Sequence, residues 1–123
     1  MAVVRGEQYL TKKNQYEAVY HNGNYRAGKE LIIRILPNGL DISRYGITVS
    51  RHVGKAVVRN KIKRRFREIL RKIKLQPGFD IVIVARAPAA KADYSEMKKT
   101  TENTLLRAGL LVGEYEGSSS KTD

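Results

Sequence analysis

Lys55-Ala56-Val57-Val58-Arg59-Asn60-Lys61-Ile62-Lys63-Arg64-Arg65-Phe66-Arg67-Glu68-Ile69-Leu70-Arg71-Lys72-Ile73 carries two patterns at once. Val58, Ile62, Phe66, Ile69 and Ile73 recur at intervals of four, four, three and four, so they share one stripe of a single helix, and that stripe must meet a core. At about 100° per residue, Asn60, Lys63, Arg64, Arg67 and Arg71 fall together on the opposite side, with Lys61, Arg65 and Lys72 along one flank. The helix is apolar inward and cationic outward.

The cationic pattern is local. Between Arg51 and Lys74 there are eleven basic residues and one acid, Glu68, so this segment holds +10 of the chain's formal +12. The rest of the chain has 13 basic and 11 acidic side chains, the balance of an ordinary soluble surface. Like charges sit four apart at Lys55/Arg59, Arg59/Lys63, Lys61/Arg65, Lys63/Arg67 and Arg67/Arg71, which together cost about 1 to 2.5 kcal/mol before screening. A solvated helix face normally mixes signs, so this one calls for a polyanion outside the fold. Phosphate backbones serve because each ion contact releases condensed counterions. Arginine predominates, and its planar fork grips phosphate oxygens with two bonds or stacks on a base. Asn60 reads equally as a helix N-cap or as a contact.

Around this helix the chain alternates between helical and extended patterns. Lys12 to Asn22 is predicted as a short helix with Tyr16, Val19 and Tyr20 on one side, closed by Gly23. Leu31 to Leu36, Tyr45 to Ser50 and Phe79 to Ala85 are predicted strands, the last apolar on both faces. Asp93 with Glu96 opens a final helix in which Tyr94, Met97, Thr101, Leu105 and Ala108 keep helical spacing up to Gly109. The expected order is helix, strand, strand, helix, strand, helix. That is an α+β fold, a single-domain two-layer sandwich with a small central sheet and three helices. The domain is expected at residues 1–112 with its core at about 8–111, and the polar stretch 113–123 reads as a disordered tail.

Composition narrows the function. With 123 residues the chain builds one core without staples, and the absence of cysteine removes thiol nucleophiles, cysteine zinc sites and disulfides. The longest apolar run, Ile81 to Ala85, is far too short to span a bilayer, and Met1-Ala2-Val3-Val4-Arg5 has no signal-peptide core, so a cytoplasmic location without membrane contact is expected. The carboxylates are scattered, and His21 and His52 fall in loops or helix ends, so neither a two-metal nuclease centre nor a histidine pair is in view. Gly54-Lys55 fails as a phosphate-binding loop because Val49 and Ala56 stand where glycine and Ser or Thr are needed. We therefore expect no catalytic residue and no metal ligand in the protein.

The segment Val53-Gly54-Lys55-Ala56-Val57-Val58-Arg59-Asn60-Lys61-Ile62-Lys63-Arg64-Arg65-Phe66-Arg67-Glu68 resembles the signature of the bacterial ribonuclease P protein component. The resemblance extends to Tyr16-Glu17-Ala18-Val19-Tyr20 with Gly23, to Gly46-Ile47-Thr48-Val49-Ser50, and to Gly78-Phe79-Asp80-Ile81-Val82-Ile83-Val84-Ala85-Arg86. It covers nearly all of residues 8–111. One departure is that the family's arginine-asparagine-arginine triplet appears as Arg59-Asn60-Lys61, which keeps the charge and loses one fork.

The resemblance implies a protein that binds a large catalytic RNA and helps it remove the 5′ leader from precursor tRNA. The RNA does the chemistry with Mg2+, the protein binds no cofactor of its own, and no obligate protein partner is expected. It also implies a left-handed strand-helix-strand crossover, as in the second domain of the fifth small-subunit ribosomal protein. Arg59, Asn60, Lys61, Lys63, Arg64 and Arg67 would face the RNA subunit, and the charge cluster adds Arg51, Lys55, Arg65 and Arg71. Tyr16, Tyr20 and Arg34 would line a cleft for the single-stranded leader. Rings beside Lys12 and Lys13 suit a sequence-tolerant platform for single strands, although packing of both tyrosines on the sheet reads equally well. The rival functions are a binder of duplex DNA through the basic helix, another structural RNA-binding protein, and a nuclease made of protein alone. Neither helix-turn-helix spacing nor dimerisation heptads support the first.

Overall fold

The computed structural model describes residues 9–112, and the tail expected from residue 113 lies outside the described residues. Helix α1 spans Lys13–Asn22, strands β1, β2 and β3 span Asn24–Ala27, Leu31–Pro37 and Arg44–Thr48, helix α2 spans Ala56–Arg71, strand β4 spans Phe79–Ala85, and helix α3 spans Tyr94–Arg107. Single turns of 3-10 helix at Arg51–Val53 and Ala87–Ala90 lead into α2 and towards α3. The α+β sandwich, its three helices and their order are as expected from the sequence, with one more strand, β1.

The sheet order is β1-β2-β4-β3. Strand β4 pairs antiparallel with β2 and parallel with β3. The parallel pair follows from connectivity, since α2 carries the chain from the end of β3 back to the starting edge. Strand β1 pairs antiparallel with β2, Tyr25 opposite Arg34. All four of its residues are exposed, so it lacks the apolar alternation that marks a strand. It exists because β2 offers a free edge and Gly28-Lys29-Glu30 turns the chain, Gly28 N–H donating to the Leu31 carbonyl at 2.7 Å.

Strand alternation sends two sets of side chains in opposite directions. Leu31, Ile33, Ile81, Ile83 and Ala85 pack with Ile62, Phe66, Ile69 and Leu70 of α2 and with Met97 and Leu105 of α3. Val82, with Leu36 and Val84 beside it, packs instead with Val19, Tyr16 and Leu10. Helices α2 and α3 therefore close one face, while α1 lies across the other and covers part of it. Polar atoms under α3 are satisfied within the helix, as Thr101 and Thr104 hydroxyls donate to the Met97 and Thr100 carbonyls at 2.7 Å.

The helix ends follow their sequence signals unevenly. Asp93 and Glu96 form the expected reciprocal cap at 2.8 and 2.9 Å, and Gly109 at φ +76° closes α3 with its N–H on Leu106 and that of Leu110 on Leu105. At α1 only half a box exists. Gln15 Oε1 accepts from the N–H groups of Thr11 and Lys12, whereas the Lys12 ammonium has nothing to accept with. Gly23 is not the left-handed cap that the sequence invites, because its φ is −89°. Glycine is needed there for closeness, since a Cβ would lie 2.5 Å from the Ile35 carbonyl oxygen and 2.6 Å from that of Val19.

Candidate nucleic-acid interface

Helix α2 presents its cations as its periodicity predicts, with the exception of Lys63. Ile62, Phe66, Ile69 and Leu70 are buried, while Asn60, Lys61, Arg64, Arg67 and Arg71 are exposed, as are Arg51 and Lys55 just before the helix. Lys63 and Arg59 are half-buried, and the Nε of Arg59 is sealed from solvent with no acceptor among the described residues. Asn60 sits inside the helix and Lys55 holds the N-cap position, so Asn60 is a surface residue of the cationic face. Arg65 stands apart: it is half-buried and its Nη1 donates to the Ala92 carbonyl at 3.0 Å, tying α2 to the approach of α3. Val57, 79% exposed, is an apolar residue on this otherwise charged surface. The ion pairs Lys13–Glu17 and Arg44–Asp80 both lie outside α2.

The second surface is the half-open face of the sheet. Position 46 is glycine because the Tyr16 ring lies directly over it, where any Cβ would overlap the phenol. The Tyr16 hydroxyl donates to the Leu10 carbonyl at 3.2 Å, and burial pushes its ionisation upward, with Tyr20 adding to the shift and the Arg67 guanidinium pulling it back. Tyr20, 38% exposed, reaches Thr48 Oγ1 at 3.5 Å across the sheet. Arg34 rises from β2 with its guanidinium carbon 5.3 Å from the centre of the Tyr20 ring. The structure thus brings Tyr16, Tyr20 and Arg34 into one groove between α1 and the sheet. Lys12 and Lys13 are exposed at the start of α1, Lys13 within 3.9 Å of Glu17.

At the base of this face, Asp80 accepts from Arg44 Nε and Nη2 at 2.8 and 2.7 Å and from Asn38 Nδ2 at 2.9 Å. The bidentate bond raises the Arg44 ionisation above its ordinary value, against a smaller opposing effect of burial. This fork is spent on holding β3 to β4 and the β2 turn, so Arg44 belongs to the fold.

The two surfaces meet. A cavity of about 300 Å3 is lined by Tyr9, Leu10, Tyr16, Tyr45, Gly46, Ile47 and Arg67. It joins the groove under α1 to the cationic face of α2 around the edge of β3, and Arg67 borders both. A larger hollow of about 480 Å3 at the far end of α2 has an apolar floor of Tyr45, Leu70, Ile73 and Leu75. Size would favour it, and Arg71 and Lys74 line it as well, yet three rings, Tyr9, Tyr16 and Tyr45, gather with Arg67 around the smaller one, Tyr9 edge-to-face on Tyr45 at 5.2 Å. Among the described residues no three His, Cys, Asp or Glu side chains gather as a metal site, and no helix is long and apolar enough to cross a membrane.

Sequence reasoning missed Tyr25. It stands opposite Arg34 on β1, 58% exposed, with the Arg34 guanidinium carbon 5.7 Å from its ring centre. The signal was present as an aromatic five residues past Tyr20, yet it gains meaning only once β1 is recognised.

Residues 4–109 match the sequence model of the ribonuclease P family. The chain is 43% identical over 114 residues to a ribonuclease P protein component of Dehalococcoides mccartyi, covering 93% of this chain and 95% of that one. Among solved structures, the RNase P protein of Staphylococcus aureus superposes with a TM-score of 0.78 at 30% identity, covering 85% of this chain and 98% of that one. That of Thermotoga maritima gives 0.75 at 32% identity, over 80% and 96%.

Proposed function

This chain belongs to the ribonuclease P protein family, and from that premise we propose that it binds the RNA subunit through α2 and the 5′ leader of precursor tRNA through the groove under α1. The observation that carries the proposal is the continuity of the two surfaces at Arg67. One protein body can then hold the RNA subunit on one side and steer a single strand on the other. Arg51, Lys55, Arg59, Asn60, Lys61, Lys63, Arg64, Arg67 and Arg71 supply the RNA-subunit surface, with Arg65 giving one of its donors to the fold. Tyr16, Tyr20 and Arg34 supply stacking surfaces and a cation for the leader, and Lys12 and Lys13 add charge at its rim.

In this mechanism the protein positions and the RNA cleaves. The cations of α2 neutralise phosphates that would otherwise repel each other as the RNA subunit and the precursor approach. The groove fixes the leader by stacking, an interaction that every base can make. Mg2+ would be held by the RNA subunit, where it would supply a metal-activated water, and this chain contributes no ligand to it in this reading. The test is to incubate labelled precursor tRNA at low magnesium with protein alone, with the RNA subunit alone, and with both. We expect cleavage with both and none with protein alone. Cleavage by the protein alone would overturn the division of labour.

A further inference from the structure

The register of the sheet places Tyr25, Arg34, Val82 and Gly46 in one row across β1, β2, β4 and β3. Tyr16 caps the β3 end of this row, and Tyr25 stands at the β1 end. Three strand spacings separate the two, about 14 Å. Between them the Arg34 guanidinium lies against two rings, 5.3 Å from the Tyr20 centre and 5.7 Å from the Tyr25 centre. Arg34 has no carboxylate partner among the described residues. Tyr25 has most of its surface in solvent, on an edge strand whose other side chains pack against little.

An exposed ring held by a cation and no core is poorly explained by folding. Its burial is too small to stabilise the domain much, and a smaller polar residue would suit an edge strand as well. The same arrangement fits one ligand chemistry closely. A nucleotide offers a flat base for the ring and a phosphate for the guanidinium, and the alternation of ring, guanidinium and ring repeats that pairing along the row.

We propose that Tyr25, with Arg34, forms an additional nucleotide subsite on β1 that takes a leader base further from the cleavage site than those held by Tyr16 and Tyr20. The proposal rests on the leader-binding reading of the groove and extends it across β2 to the sheet edge. The leader then runs along the row rather than leaving at α1, and Arg34 holds the phosphate between the two stacked positions. Tyr25 sets how much leader the protein can use.

The test uses the reconstituted holoenzyme, protein with its RNA subunit, and measures the affinity for precursor tRNAs whose leaders are shortened one nucleotide at a time, with mature tRNA as the reference. For the unaltered protein, affinity should rise in steps with leader length. Tyr25→Ala should abolish the outermost step, a loss of roughly fivefold or more for long leaders, with short leaders and mature tRNA unchanged. Tyr25→Phe should restore the step, because the ring face is retained. A Tyr25→Ala profile equal to the parent at every length, or lowered equally at every length including mature tRNA, would overturn the subsite. Tyr16→Ala run in parallel separates the two claims. If it weakens even the short leaders while Tyr25→Ala does nothing, the groove stands and only the extension fails. If Tyr16→Ala leaves every leader unaffected, the groove reading fails as well.

Discussion

The two sides of the sheet solve the problem of carrying a binding surface in different ways. Under α2 and α3 the sheet is sealed, and what the protein displays there is the outer face of α2. Phe66 is fully buried and its neighbour Arg67 is exposed, so one residue serves the core and the next serves the surface. Under α1 the sheet itself is the surface. Tyr16 packs over Gly46, donates to the Leu10 carbonyl and lines the groove, so one side chain carries both tasks. Stability and binding are thus separable on the closed side and entangled on the open side.

The sharpest way to break this contrast is at Phe66. Phe66→Ala removes a ring from the centre of the closed side and should cost about 3 to 5 kcal/mol in denaturant unfolding. The salt dependence of RNA-subunit binding by the folded fraction should not change. A stability loss below about 1 kcal/mol would mean that α2 is not seated as described.

Tyr16 tests the other half. Tyr16→Ala should lower stability by about 2 kcal/mol, since the ring is only half-buried, and should weaken leader binding by about 1 to 3 kcal/mol. Tyr16→Phe should recover the stacking and lose only the hydrogen bond, about 1 kcal/mol. If Tyr16→Ala changed one property and left the other untouched, the open side would be as separable as the closed one.

Replacing Arg64 and Arg67 together should do the reverse of Phe66→Ala. We expect little change in unfolding free energy, and a flattening of the salt slope for RNA-subunit binding by about 1.5 log units per decade, two phosphate contacts' worth. Relief of like-charge repulsion offsets whatever packing the two side chains lose. An unaltered slope would place the RNA elsewhere.

The same contrast explains what could be read from the sequence. The closed side is legible because a helix on a sheet obeys one period: Val58, Ile62, Phe66, Ile69 and Ile73 are enough to orient α2, and the orientation then sorts its cations. The caps of α3 are legible for the same reason, being local. The open side is not local. Tyr16 meets Gly46 across thirty residues of chain, Arg44 finds Asp80 across 36, and Tyr25 joins Arg34 only through a strand whose residues are all exposed. No periodicity encodes such meetings, and the family resemblance supplied what the pattern could not for Tyr16, Tyr20 and Arg34. It did not supply Tyr25.

Arg65 is the smallest and most discriminating case, because composition counts it with the cationic face and geometry does not. Its Nη1 is committed to the Ala92 carbonyl, so Arg65→Ala should lower stability by about 1 kcal/mol, the net value of one such bond, by loosening α2 from the approach to α3. Its effect on the salt slope should be less than half that of Arg67→Ala measured alone, because a guanidinium held on a carbonyl is a poorer phosphate ligand than one in solvent. Arg65→Lys keeps the charge but not the fork, so it should recover whatever salt dependence Arg65 contributes and little of the stability. Equal slopes for Arg65→Ala and Arg67→Ala would show that charge alone, and not its placement by the fold, governs the surface. The separation of tasks on the closed side would then end at the flank of the helix.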